Sequence, residues 1–540
     1  MEVLAPYGRG VSFDVSYPKE EFGHYATNIA FGLAKIKKEP TMKVAGELVS
    51  NLHKDKKAKK LFSEISVASP GFINFKLKQE IISESLRDII YHIYSFGKNN
   101  IGNSKKINLE FVSANPTGPL TLGNGRSAAY GDALSKILDF SGFKVTKEYF
   151  INDIGNQVEL LGESVARRFL QLYEQKVDFP EELYQGKYII EIAKKIKKER
   201  IYHGPLDNFE NLKEICKKYA LDSLTTQIKE ALLKFGLHFD VWFSENNLLK
   251  EIDLMLDELR QTDLLYEKDG ALWFKATQFG LEKDAVLRKS IGDKATTYLA
   301  SDFAYAKNKL QRGFDYSVYV LGADHHGDVQ RIKAGIQAMG LDENKFRFLV
   351  YQFVTLKKGG KAVKMSKRKG DFITLEYLTK EVPIDVIKLF FLMKSLDNHV
   401  EFDLNLAKEE SNKNPVYYIQ YAHARVKSLI RNAKEKKIKW SKKPSLKTLK
   451  ELKEKEAIEM IILINRFPEI VESVAKDYQV HRLVNYIYEL ASAIHLFYDK
   501  YRVVDEEKNT LDGRINLLIA AGEVLKQGLS LLGLTSPEKM

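Results

Sequence analysis

A Gly- and Pro-rich segment, SANPTGPLTLGNGR from Ser113 to Arg126, constrains the fold more than any other part of the chain. Before it, apolar residues alternate with polar ones at Ile107, Leu109 and Phe111, and this period of two predicts a β-strand. After it, apolar residues recur at helical spacing, at Ala129, Leu134, Ile137 and Leu138. A strand, a turn and a helix start in this order present backbone N–H groups and a positive helix end to phosphate.

A second segment, KMSKRKG from Lys364 to Gly370, places three lysines and an arginine around Ser366. A mobile basic loop of this composition suits a negative charge that develops on a polyphosphate during reaction. Together, the two segments predict nucleotide chemistry.

These two segments resemble the signature motifs of class I aminoacyl-tRNA synthetases, in the form found in arginyl-tRNA synthetases. The strings SANPTGPL and NPVYYIQYAHARV are typical of the arginine enzymes, and so are GHYATNIAFGLAK and PGFINFKL near the start of the chain. The resemblance covers nearly the whole chain. It implies that the protein ligates L-arginine to its tRNA with ATP, through an arginyl adenylate.

The first motif departs from the family pattern at two positions. Most members carry His-x-Gly-His, whereas this chain has Thr121-Leu122-Gly123-Asn124. Threonine and asparagine keep a hydrogen-bond donor at each position but remove any imidazolium charge. We expect an altered rate and pH profile with catalysis retained. The alternatives are a non-catalytic tRNA-binding paralogue and a class I synthetase for another amino acid.

Composition is compatible with a polyanionic partner such as tRNA. Lysine and arginine total 84 against 72 aspartate and glutamate, a net charge of +12. A Lys/Glu-rich surface of the kind found in heat-adapted proteins is an alternative explanation. Cys216 is the only cysteine, which excludes an internal disulfide and a multi-cysteine zinc site. With no leader and no membrane-length apolar run, we expect a cytoplasmic protein without membrane contact, and family members suggest a monomer.

The predicted fold class is an α/β catalytic core, with a Rossmann-like nucleotide-binding fold and a helical insertion, between an N-terminal α+β domain and a C-terminal all-α domain. The resemblance places a domain that reads the tRNA elbow at residues 1–105 and the catalytic domain at 106–395, with its insertion at about 160–240. Residues 396–540 are expected to form a helical anticodon-binding domain.

The resemblance implies a nucleotide site at the carboxyl edge of the sheet. Thr121, Asn124, Lys364, Ser366 and Lys367 are the expected catalytic residues, and Gly123, Gly322, Asp324 and His325 are expected to bind ATP. Mg²⁺ is expected with the ATP phosphates rather than in a protein cage, and no zinc is expected. The adjacent residues His325 and His326 diverge in direction, so we do not expect them to form a metal site.

The amino-acid pocket needs acceptors, because a guanidinium presents five donors in a planar fork. The resemblance assigns Glu245, Tyr298 and Asp302 to the guanidinium, although without it two of them are a helix-terminal charge and a surface acid. Asn115 and Gln330 are expected to orient the α-amino end, with Glu110 as a support.

A stripe of aromatic and basic side chains recurs at helical spacing near the start of the C-terminal domain. Tyr417, Tyr421 and Arg425 belong to it and are expected to contact tRNA, since aromatic rings can stack on unpaired bases. The alternative is that the stripe is helix core, and we expect about half of it to be buried.

Overall fold

The computed structural model describes residues 4–5, 7, 10–290, 296–363 and 373–540. Its N-terminal unit is a four-stranded antiparallel sheet in the order β1-β2-β4-β3, covered by short helices that share a small apolar core with it. The elements are β1 (Val15–Ser16), β2 (Tyr25–Thr27), α1 (Ile29–Lys37), α2 (Thr41–Leu52), α3 (Lys56–Leu61), β3 (Phe62–Ala68) and β4 (Phe72–Leu77). Helix α4 (Gln79–Tyr91) comes next, and its apolar side chains belong to a different, larger core.

The central unit alternates strands and helices. Its strands are β5 (Lys106–Phe111), β6 (Lys144–Ile151), β7 (Val241–Ser244), β8 (Leu265–Lys268), β9 (Ala271–Phe274), β10 (Ala285–Arg288), β11 (Tyr316–Gly322), β12 (Phe346–Tyr351), β13 (Val354–Lys358), β14 (Lys361–Ala362) and β15 (Val400–Asp403). Its helices are α5 (Leu122–Phe140), α6 (Asn156–Gln171), α7 (Lys187–Lys198), α8 (Phe209–Lys234), α9 (Leu249–Arg260), α10 (Tyr298–Gln311), α11 (His326–Ala338), α12 (Leu375–Glu381), α13 (Ile384–Leu392) and α14 (Leu404–Ala407).

Five of these strands form a parallel sheet in the order β12-β11-β5-β6-β7. The chain starts at β5, moves outward through β6 and β7, and then crosses to β11 on the other side of β5. The strand order therefore reverses between β5 and β11, and in such sheets ligands bind outside the carboxyl ends of the strands at this switch point.

The alternating pattern of β5 separates two faces of the sheet. Ile107, Leu109 and Phe111 belong to the same apolar core as helix α5. On the other face, Glu110 forms an ion pair with Lys309 of α10. The sheet is thus covered on both faces, as expected for parallel strands.

Helices α6, α7 and α8 form a separate small bundle between β6 and β7. Their apolar faces pack together around Val165, Phe169, Ile192 and Cys216. A small antiparallel sheet in the order β10-β9-β8 follows α9, and β13 pairs with both β14 and β15.

The C-terminal unit is helical, with α15 (Pro415–Glu435), α16 (Leu446–Leu449), α17 (Lys455–Asn465), α18 (Phe467–Asp477), α19 (His481–Lys500) and α20 (Lys508–Leu531). Helices α18 and α20 also contact α5, so one continuous apolar core joins this unit to the parallel sheet. The predicted fold class is confirmed, whereas the domain boundaries stay predictions. Among the described residues, no helix is long and apolar enough to cross a membrane.

Candidate active site at the carboxyl edge of the parallel sheet

The carboxyl ends of the five parallel strands bring together most of the predicted site residues. Asn115 and the first motif follow β5, and Glu245 directly follows β7. Asp324 and His325 come directly after β11. Segments far apart in sequence therefore meet at one edge because parallel strands end on the same side.

Thr121 and Asn124 close the N-terminus of α5 as a capping box. The Asn124 Oδ1 atom accepts hydrogen bonds from the Thr121 backbone N–H at 2.9 Å and from the Thr121 hydroxyl at 2.8 Å. The Thr121 Oγ atom accepts a longer one from the Asn124 backbone N–H at 3.5 Å. Caps of this kind stabilise a helix by about 1 kcal/mol. The residues that replace the family histidines thus fix the start of the helix that faces the switch point.

The predicted adenosine-binding residues lie at the end of β11. A Cβ on Gly322 would lie 2.4 Å from the Asp324 Oδ1 atom, so a larger residue there would displace the Asp324 side chain. Asp324 and His325 are exposed. The Asp328 carboxylate, 3.3 Å from His325 Nδ1, accepts a hydrogen bond from that ring, which raises the pKa of His325 and favours its charged form.

Glu245 differs from the other acids at this edge, because its carboxylate is buried and has no ion-pair partner among the described residues. The residue is 2% exposed, and its Oε2 atom has no hydrogen-bond partner in the described part of the chain. Burial, together with the charge of Asp153, raises the pKa of Glu245 to about 7, against the effect of the nearby Ser301 hydroxyl. A carboxylate in this state is poised to accept a cation.

Asp302 and Tyr298 lie one turn apart on α10, and Glu245 lies close to both. Burial raises the pKa of the half-buried Asp302 carboxyl well above its usual range, and so do the charges of Glu110, Asp328 and Glu245. Burial and the charge of Glu245 raise the pKa of Tyr298. The structure therefore brings the three predicted guanidinium receptors together.

The residues predicted to act at the α-amino group of arginine differ in exposure and in their contacts. The Asn115 side chain donates to Gln157 Oε1 at 2.7 Å and accepts from Asn152 Nδ2 at 2.5 Å, which fixes its orientation. Gln330 is exposed on α11. Glu110 is buried near the carboxyl end of β5, where its Oε2 atom lies 2.6 Å from Lys309 Nζ. Glu110 thus anchors α10, which carries Asp302, and the ligand roles of all three residues stay predictions.

The catalytic residues predicted in the basic loop, Lys364, Ser366 and Lys367, lie outside the described residues. The chain that follows the loop contacts the first motif. Thr374 forms a β-bridge with Thr121, and the Leu375 backbone N–H donates to the Leu120 carbonyl at 2.8 Å. This contact ties the chain after the second motif to the turn before α5.

The predicted tRNA-binding residues form one half-buried stripe on α15. The rings of Tyr417 and Tyr421 are 6.0 Å apart, and the Arg425 guanidinium lies 4.3 Å from the Tyr498 ring. Arg425 also donates to Asp499 at 2.5 Å. The stripe is therefore partly engaged in helix packing, and its contact with tRNA stays a prediction.

Sequence reasoning assigned no role to two groups that shape the site. Asp153 accepts from the Ser244 hydroxyl at 2.5 Å and from the Asn246 backbone N–H at 3.2 Å, and so holds the turn that carries Glu245. Tyr188 reaches the turn before α5 from the helical bundle. The segment YFINDIGNQ at residues 149–157 is also typical of the family and predicts a wall of the site near the tRNA acceptor end, with no definite role for Asp153, whereas no sequence signal indicated Tyr188.

The parallel sheet, its switch point and the capped helix after β5 are the features of a class I aminoacyl-tRNA synthetase catalytic domain. The family model described as "tRNA synthetases class I (R), catalytic domain" matches residues 86–389. The models "Arginyl tRNA synthetase N terminal domain" and "DALR anticodon binding domain" match residues 8–77 and 419–540.

Comparison with similar proteins shows which family of class I synthetases the chain resembles. The chain is 42% identical to the arginine–tRNA ligase of Caldanaerobacter subterraneus subsp. tengcongensis, over 98% of this chain and 93% of that protein. It is also 42% identical to the arginine–tRNA ligase of Desulforamulus reducens, over 97% of this chain and 93% of that protein. The Thermus thermophilus arginyl-tRNA synthetase structure shares its fold, with a TM-score of 0.75 at 21% identity over 100% of this chain and 98% of that one. The chain belongs to the arginyl-tRNA synthetase family.

Proposed function

We propose that the protein ligates L-arginine to its tRNA in two steps. In the first, an arginine carboxylate oxygen attacks the α-phosphorus of ATP, and pyrophosphate leaves. In the second, the 2′-hydroxyl of the terminal adenosine of tRNA attacks the arginyl carbonyl carbon, and AMP leaves. The observation that carries this proposal is the buried carboxylate of Glu245 beside Asp302 and Tyr298, whose Oε2 atom has no hydrogen-bond partner among the described residues.

A guanidinium fits this pocket better than a neutral side chain does. Glu245 and Asp302 lie on separate segments and influence each other's environment, so the free pocket holds two desolvated acids. A neutral ligand leaves these charges without a partner, which costs free energy. An arginine side chain supplies paired N–H donors and a positive charge in one plane. Arginine is therefore the substrate that the pocket favours.

Activation in this site depends on positioning and electrostatics and needs no covalent enzyme intermediate. The α5 N-terminus, fixed by Thr121 and Asn124, faces the expected position of the ATP phosphates. The sequence-based roles of Lys364, Ser366 and Lys367 are to stabilise the charge on the phosphates in the transition state. Mg²⁺, held mainly by those phosphates, would neutralise part of the same charge.

We further propose that the protein acts as a cytoplasmic monomer, with the elbow of tRNA at the N-terminal unit and its anticodon loop at α15. The net charge of +12 supports a phosphate-rich partner. Asp55 caps the short helix α3, and this cap holds a lysine-rich turn of the N-terminal unit in helical form.

The decisive experiment is ATP–pyrophosphate exchange with each of the twenty amino acids, with and without bulk tRNA. We expect exchange with arginine alone, and family resemblance predicts that tRNA is required. Exchange with another amino acid would contradict the assignment of the pocket. Tight tRNA binding without any exchange would instead indicate the non-catalytic paralogue.

The raised pKa values in the pocket predict a pH dependence of arginine binding. Glu245, with a pKa of about 7, is protonated below pH 7 and must lose that proton to pair with a guanidinium. The apparent KM for arginine should therefore rise by about tenfold per pH unit below pH 7 and level off above pH 8. The shifted Asp302 acts in the same direction.

Initial rates of pyrophosphate exchange between pH 5.5 and 8.5 measure this dependence, with the KM for ATP as the internal control. An arginine KM that is flat across this range, or one that falls with acidification, would contradict the role given to Glu245.

A further inference from the structure

The turn between β5 and α5 is held in a conformation that it would not adopt alone. Val112 and Ser113 have backbone φ angles of 67° and 34°, in the left-handed region. A β-branched residue such as valine rarely adopts this region and does so only when surrounding contacts impose it. The contacts that hold this turn therefore determine where Asn115 and its neighbours lie.

Both ends of the turn are held by the catalytic core itself. The Tyr149 hydroxyl donates to the Ala114 carbonyl at 2.8 Å, and the Phe150 backbone N–H donates to Ser113 Oγ at 3.0 Å. At the other end, Leu375 holds the Leu120 carbonyl. These contacts leave the middle of the turn to other partners.

The middle of the turn is held by the helical bundle. Gln157 of α6 accepts from the Asn115 side chain, and the Tyr188 hydroxyl of α7 donates to the Thr117 carbonyl at 2.7 Å. Burial raises the pKa of Tyr188, so the phenol stays protonated and remains a donor. The bundle thus contacts the turn at two points, Asn115 and Thr117, between Ala114 and Gly118.

The sequence leaves space for the Tyr188 ring at two glycines. A Cβ on Gly186 would lie 2.3 Å from Tyr188 Cε1, although the Gly186 backbone, with φ −64° and ψ 146°, is open to any residue. Gly118 approaches the phenol from the turn, where a Cβ would lie 3.3 Å from the hydroxyl oxygen. The ring is therefore confined between the bundle and the turn.

We infer that the helical bundle positions the arginine pocket through the Tyr188 hydroxyl, so that Tyr188 is a positioning residue for arginine activation. Release of the Thr117 carbonyl lets the strained turn relax and moves Asn115, which lies two residues away. Thr121 keeps its own capping box and its bridge to Thr374, so the nucleotide end of the turn stays in place. The inference rests on the proposed function, because it concerns the same arginine pocket.

The test is Tyr188→Phe in the full chain, assayed by pyrophosphate exchange with arginine in the presence of tRNA. The change removes one hydroxyl and keeps the ring. We expect the KM for arginine to rise by about three- to tenfold, the scale of one lost hydrogen bond, while the KM for ATP stays within about twofold. The split between the two KM values distinguishes positioning from a general loss of structure.

Tyr202→Phe is the matched control. Tyr202 belongs to the same bundle, and its hydroxyl donates to the Pro205 carbonyl at 2.7 Å, but both partners lie within the bundle. Its removal should change stability about as much as Tyr188→Phe and leave both KM values within about twofold. Gly186→Ala displaces the Tyr188 ring and should reproduce the selective rise in the arginine KM.

Three results would overturn the inference: an unchanged arginine KM in Tyr188→Phe, an equal rise in the KM for ATP, or the same effect in Tyr202→Phe. A parent protein that exchanges no pyrophosphate with arginine would instead overturn the proposed function, so the two failures are distinguishable.

Discussion

Glu245→Gln is expected to make the free protein more stable while it weakens arginine binding. The Glu245 carboxyl has a pKa of about 7 in the folded protein, against an ordinary value near 4.5. Because the folded state holds the proton more tightly, raising the pH from about 4.5 through 7 destabilises the fold, and the cost is complete above pH 7. This cost is about 3 kcal/mol at most for a shift of this size.

Glutamine removes that cost but cannot supply an anionic acceptor to the guanidinium. Thermal or urea unfolding at pH 8 should therefore show a stability gain of up to about 3 kcal/mol, and the gain should vanish near pH 4.5. At pH 8 the kcat/KM for arginine should fall by a factor that corresponds to about 2–5 kcal/mol of transition-state binding, the cost of removing one partner of a buried charge pair. The dependence of the arginine KM on pH should also flatten.

The matched control is Glu230→Gln, which makes the same chemical change at an exposed position of α8. It should alter neither the stability at pH 8 nor the arginine KM. A Glu245→Gln protein that is less stable than the parent at pH 8 would show that the carboxylate has a partner in the free protein.

The spacing of apolar residues along the chain predicted the secondary structure around the switch point. Alternation over Ile107 to Phe111 and helical spacing after Arg126 gave the strand, the turn and the helix that form the switch point. The family resemblance assigned Glu245, Tyr298 and Asp302 to one pocket, although they come from two different segments. No spacing argument alone could have done so, because parallel strands join residues that are distant in sequence.

The remaining features depend on which tertiary partner covers a residue. Alternation assigned Glu110 to the face opposite Leu109, but it could not show that Lys309 of α10 lies 2.6 Å from that carboxylate. Likewise, nothing in the residues around Val112 reveals its positive φ, because its partners come from other elements: the Val112 backbone N–H donates to Ser127 Oγ of α5 at 2.9 Å, and the Phe150 backbone N–H of β6 donates to Ser113 Oγ at 3.0 Å. Strain of this kind costs about 1–3 kcal/mol per residue and persists only in a site that holds it.

Asp302→Asn tests whether the pocket selects arginine by charge. The change is nearly isosteric, so the fold and the KM for ATP should be close to unchanged. Arginine should lose about 2–5 kcal/mol of transition-state binding, seen as a higher KM and a lower kcat/KM. Citrulline is neutral where arginine is charged, and the variant should discriminate against it far less than the parent does. Pyrophosphate exchange rates with arginine and with citrulline, measured in the parent and in Asp302→Asn, give the arginine-to-citrulline ratio of kcat/KM for each protein.

The double variant Glu245→Gln with Asp302→Asn shows whether the two carboxylates bind one group. If both carboxylates contact the same guanidinium, removal of one lowers the binding free energy that the other contributes. The loss in the double variant should then be smaller than the sum of the single losses. Strictly additive losses, together with an arginine-to-citrulline ratio that Asp302→Asn leaves unchanged, would place Asp302 outside the specificity site. A coupled loss and a collapsed ratio would identify one guanidinium receptor built from β7 and α10.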